Sequence, residues 1–116
     1  MGNIKYEIDQ YDYSIELQPT DEGKRSKTFA TISLFSTGNN VADINILNPG
    51  EETERKYFSG KQLNIDLAYE KFAPVIDMLR HEKPLRLLVW YSGTDDDPKH
   101  IEARLDTSEL ETVGHN

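Results

Sequence analysis

The chain contains no cysteine. Disulfide staples, thiolate metal sites and thiol nucleophiles are therefore excluded. Histidine is nearly as scarce. His81, His100 and His115 are far apart, and none has a second histidine four residues away, as a helical metal site requires. There is no Gly-x-Ser-x-Gly elbow either. Hydrolytic and metal chemistry have no motif to rest on, so an enzyme is disfavoured, and neither a metal nor a cofactor is expected. No apolar run nears the roughly 18 residues of a membrane span, and the N-terminus lacks the apolar segment of a secretory signal. The expectation is a cytoplasmic protein without membrane association.

Positive charge is the next shortage. Lys and Arg number 13 against 21 Asp and Glu, a formal net charge of -8. Non-specific nucleic-acid binding needs a basic footprint, and only Lys24, Arg25 and Lys27 cluster enough to offer one. Their stretch, Gly23 to Thr28, lacks the earlier glycine of a phosphate-binding loop, because Gln18 stands there. It also lies between strand patterns and not before a helix, so it reads as a solvated hairpin loop, the alternative being a mobile basic loop that touches phosphates or an acidic protein. Asp95-Asp96-Asp97 is contiguous, whereas calcium loops alternate their ligands; it reads as a solvated turn.

What is present is patterned. Hydrophobic residues make up only 36% of the chain and mean hydropathy is -0.68, yet the apolar positions fall in periodic runs. A chain of 116 residues with such runs reads as one folded domain. We expect it to span residues 1–106, with 107–116 a frayed tail. Ile4, Tyr6 and Ile8 alternate with charged residues, and so do Tyr11, Tyr13, Ile15 and Leu17, but the apolar parity flips at Asp9-Gln10. One long strand with a bulge explains the flip better than a hairpin, since no glycine is present for a tight turn. Thr28 to Ser36 and Val41 to Leu47 are expected to form a hairpin around Thr37-Gly38-Asn39-Asn40. Arg55 to Ser59 and Leu63 to Leu67 read as further short strands.

The stretch from Glu70 to Ser92 organises the rest. Phe72, Val75, Ile76 and Leu79 make a helical apolar stripe. Pro74 sets where that helix begins, because proline is tolerated in a first turn and costs roughly 3 kcal/mol in a helix interior. Pro84 stops it, so the expected helix covers about 70–82. Leu85 to Tyr91 is the strongest strand, and Ile101, Ala103 and Leu105 mark a last one pairing back on it. The fold class is α+β: a bent antiparallel sheet or partly closed barrel of about six or seven strands, packed on one helix.

Function is addressed through one asymmetry. In Leu85 to Tyr91, one face carries Leu85, Leu87, Val89 and Tyr91, and the other carries Arg86, Leu88 and Trp90. A single short helix covers one face, so the second must meet another sheet, a partner or a ligand. Arg86, Leu88 and Trp90 are the candidate interface or ligand residues. The first expectation is a non-catalytic domain acting through a protein partner or as a homodimer, through this face or a strand edge. The second is single-stranded nucleic-acid binding by sheet aromatics with Lys24, Arg25 and Lys27. The order of strands followed by a helix resembles that of whirly-like single-strand binders, and the resemblance, one of element order, implies such binding. The third is a small ligand or substrate held between helix and sheet.

Overall fold

Strands form wherever the alternation occurs. The structure, a computed structural model, describes residues 2–17, 27–53, 55–82, 84–94 and 96–107. Its elements are β1 (Gly2–Ile8), β2 (Gln10–Ile15), β3 (Thr28–Ser36), β4 (Asn39–Leu47), β5 (Lys56–Ser59) and β6 (Gln62–Leu67), then a 3-10 turn (Tyr69–Lys71), α1 (Phe72–His81), β7 (Leu85–Thr94) and β8 (Asp97–Thr107). The class is α+β, but the architecture corrects the expected single sheet. The described strands form two sheets, a smaller one ordered β1-β7-β8 and a larger one ordered β2-β3-β4-β6-β5, and no closed barrel.

The parity flip at Asp9 has a definite cause: the chain changes sheets there. Ile8 is opposite Leu85 in the smaller sheet, and Gln10 is opposite Phe35 in the larger. Asp9 is the corner between them. Its N–H donates to the Phe35 carbonyl at 3.1 Å and its Oδ2 accepts from the Thr37 N–H at 3.0 Å. A strand that passes from one sheet to the next by a local bend is how packed sheets make corners.

One strand pair is parallel, against the all-antiparallel expectation. The β5–β6 hairpin folds back so that β6 lies between β4 and β5, with Ala42 opposite Leu63 and Ile46 opposite Leu67. The expected strand from Arg55 begins at Lys56. The β7–β8 hairpin is longer than its pattern suggested, because Ser92, Gly93 and Thr94 pair with Lys99, Pro98 and Asp97. At its far end β8 runs through Thr107, opposite Leu85; the rest of the expected tail lies outside the described residues.

The helix starts where Pro74 requires. Lys71 caps it without a side-chain bond, Phe72 opens it, and Pro74 lies in its first turn. Arg80 and His81 occupy the last turn, where positive charge suits the helix dipole. Ile76 and Leu79 are buried and join one core with Ile32, Leu34, Ile46 and Leu63 of the larger sheet and Leu85, Leu87 and Val89 of the smaller. Phe58 and Tyr91, edge to face at 6.0 Å, tie the two sheets together. The smaller sheet and α1 thus cover the apolar face of the larger one.

Candidate functional site

The outer face of β7 was the first candidate, and neighbouring charges cover it. Arg86 Nε and Nη2 donate to Asp106 Oδ1 and Oδ2 at 3.0 and 3.3 Å, across the β7–β8 ladder. The Arg104 guanidinium lies 5.0 Å from the centre of the Trp90 ring. Leu88 sits between Lys5 on β1 and Arg104 on β8. Arg86, Leu88 and Trp90 are each half-buried. No second sheet is needed: long side chains with apolar stems shield the apolar centre and keep their charges in water. Of the basic-loop candidates, Lys24 and Arg25 lie outside the described residues. Lys27 is exposed, and its carbonyl accepts the Asn48 N–H at 2.8 Å.

The outer face of the larger sheet is polar and internally bonded. Ser33 Oγ donates to Asp43 Oδ1 at 2.8 Å, Asn40 Nδ2 to the same oxygen at 3.0 Å, and Thr31 Oγ1 to Asn45 Oδ1 at 3.3 Å. Among the described residues Asp66 is the buried charge, only 7% exposed. Its Oδ2 accepts from the Arg55 N–H and Nε at 3.2 and 3.4 Å. Oδ1 lies 3.3 Å from the same Nε, an ion pair without the geometry of a hydrogen bond. Among the described residues no group of three metal-binding side chains occurs, and Asp97 pairs with Lys99 at 3.7 Å.

Apolar exposure gathers elsewhere, on β2. Tyr13 is 37% exposed, Ile15 41% and Leu17 just beyond the strand 87%. Tyr13, Phe72, Phe29 and Tyr69 form a chain of edge-to-face rings at 5.9, 5.3 and 4.9 Å, which carries the patch from β2 over the start of α1 to Tyr69. Arg80 closes its other end, donating from Nη2 to the Tyr13 hydroxyl at 2.9 Å. Hydrogen bonding to the Tyr11 side chain, and then the neighbouring Tyr13, raise the Arg80 pKa above its ordinary value.

Two open hollows flank Arg80. One, of about 290 Å³, lies between Tyr13 and Ile15 on β2 and Phe72, Ala73 and Ile76 on α1. The other, of about 1010 Å³, lies where the chain crosses between sheets, floored by Ile8, Tyr11, Phe35, Leu79 and Leu85 and rimmed by Asp9, Asp12 and Glu82. Together they make a groove along an edge strand. Of its polar groups, Asp9 bonds to Thr37 and Arg80 to Tyr13, and His81 faces Asp77 at 3.7 Å.

The other edges are blunted in the ways natural sheets use. β5 has four residues and carries Lys56. β8 carries Pro98 and a bulge at His100, whose φ is 51°. β1 presents Lys5 and Glu7. β2 has no proline, lysine or arginine and no inward charge; the charge it carries is Asp12, exposed on its polar face. The signal was in the sequence: apolar alternation through Leu17, continuing past the last residue that the core takes. Comparison with known protein families, with curated proteins and with solved structures finds no match.

Proposed function

We propose that this chain is a small non-catalytic domain, resident in the cytoplasm, that acts through protein contacts made along β2 and α1. The observation that carries the proposal is the unblunted edge of β2, beside an apolar groove whose ring chain reaches the surface at Tyr13 and Tyr69. An exposed edge supplies backbone donors and acceptors, and a neighbouring groove takes alternate side chains; strand addition uses both. The single-strand nucleic-acid reading has less support, because Arg104 occupies the face of Trp90 and acids interleave with bases over that sheet face.

The test compares two exposed tyrosines, each on an edge strand of the larger sheet. A photoreactive phenylalanine analogue replaces Tyr13 in one version and Tyr57 in another, in the native cells. A polypeptide adduct is expected from position 13, much less from position 57, and Ile15→Lys is expected to remove it. Equal labelling at both positions, or adducts to nucleic acid alone, overturns the proposal.

A further inference from the structure

We infer that the strand that covers β2 is β2 of a second copy of this chain, added antiparallel about a two-fold axis through Tyr13. The inference rests on the protein-contact reading above and names the occupant of that same edge.

Ladder parity settles which backbone groups are on offer. The Glu16 N–H donates to the Phe29 carbonyl at 2.9 Å, and Ile15 lies opposite Ala30. In an antiparallel ladder, residues whose backbone groups face the partner alternate with residues whose groups face away. Even-numbered residues of β2 therefore bond to β3, while Tyr11, Tyr13 and Ile15 direct theirs off the edge. An incoming strand must meet these three.

Self-pairing leaves few registers. Residues directly opposed share a face, so Tyr11, Tyr13 and Ile15 must oppose one another; a shift by one would turn the second copy's apolar side chains to the polar side. Centred on Asp12, the pairing sets that carboxylate against its own copy. Centred on Ser14, it opposes Asp12 to Glu16. Centred on Tyr13, it sets Tyr13 against Tyr13, Tyr11 against Ile15, Asp12 against Ser14 and Gln10 against Glu16. No like charges then face each other, and aromatic–aliphatic pairs fall on the helix side. The larger sheets of the two copies become one continuous sheet. The second copy's Ile15 enters the hollow beside Tyr11, and the two Tyr13 rings meet beside α1 of each copy. This closed two-fold contact consumes both open edges at once, so it ends in a dimer and not a fibre.

Charge separates a second copy from a basic peptide, the other occupant an acidic rim would suit. Two chains of formal net charge -8 repel at long range, so their association tightens several-fold from about 50 mM to about 500 mM salt, whereas binding of a basic peptide weakens.

The test uses the full chain, which has no cysteine of its own. Across a hydrogen-bonded antiparallel pair the Cα atoms are about 5.5 Å apart, inside the roughly 4.4–6.8 Å reach of a disulfide. Tyr13→Cys is expected to self-link rapidly under mild oxidation. Ile15→Cys is expected not to, because its own mate stands four residues along the ladder, about 13 Å away; it links instead when mixed with Tyr11→Cys. Sedimentation should show a dimer that tightens with salt and that Ile15→Lys converts to a folded monomer. A monomer at all concentrations, self-linking of Ile15→Cys as fast as Tyr13→Cys, or weakening by salt overturns the second-copy assignment. The two readings fail separately: a monomer that still gives a protein adduct at position 13 removes the dimer alone, whereas no polypeptide adduct there removes both.

Discussion

Thr37 holds a conformation that its side chain disfavours. Its φ is 50° and that of Gly38 is 86°, the left-handed pair of a two-residue hairpin turn. Such turns favour Asn-Gly, and a β-branched residue there is strained. The Asp9 carboxylate holds the Thr37 N–H, so the corner between the sheets also supports the turn. Thr37→Asn should raise stability by about 1 kcal/mol, a rise in thermal midpoint of roughly 4 °C, readable by calorimetry. Trp90 permits a second measurement, because it is the only tryptophan. Arg104→Ala should cost about 0.5–1 kcal/mol through the lost cation–π contact and shift Trp90 emission to the red. It should leave the proposed β2 contact untouched, since Arg104 lies on β8 of the smaller sheet and β2 belongs to the larger.

Among the elements, β2 and β6 are contrasting strands. Leu63 on β6 is buried between β4 and β5, so Leu63→Ala should cost about 2–4 kcal/mol in denaturant unfolding. Its neighbour Gln62, on the opposite face, should tolerate alanine within about 0.5 kcal/mol. On β2, parity decides the outcome of proline. Ser14→Pro removes a donor committed to β3 and should lower the denaturation midpoint clearly. Tyr13→Pro removes one that points off the edge, where sheets tolerate proline, so it should spare the monomer more than Ser14→Pro does. Equal damage from both would show that the ladder parity is misassigned. The alternation of Leu85 to Tyr91 was legible, and so was the helix start that Pro74 constrains. The fate of the second face of β7 was less so. Glu102, Arg104 and Asp106 alternate on β8 and Lys5 and Glu7 on β1, but only the register places them beside Arg86, Leu88 and Trp90.

For the whole molecule, charge is the controlling quantity. A formal net charge of -8 on 116 residues sets a self-repulsion that salt relieves. Under the proposed β2 pairing the Ile15→Lys variant is a monomer; it should gain stability against urea between low and moderate salt, and the wild-type chain should gain more, because association would add to screening. If salt stabilises both equally, the extra term from dimerisation is absent.

The sequence by itself determined which side chains share a face, although at β2 the apolar face runs out to the surface at Tyr13, Ile15 and, just beyond the strand, Leu17. Alternation with period two, a helical stripe and the positions of Pro74 and Pro84 report side-chain direction, and side-chain direction is written residue by residue. The hairpin partners β3 with β4 and β7 with β8 were legible too, but the remaining partners were decided only in three dimensions. The passage of the chain between sheets at Asp9, the insertion of β6 parallel to β4, and the open edge at β2 all depend on backbone donors and acceptors, which every residue except proline carries alike. A local pattern marks a strand and its buried face, but the identity of the strand on either side, and the edge left without one, follow from how the whole chain packs.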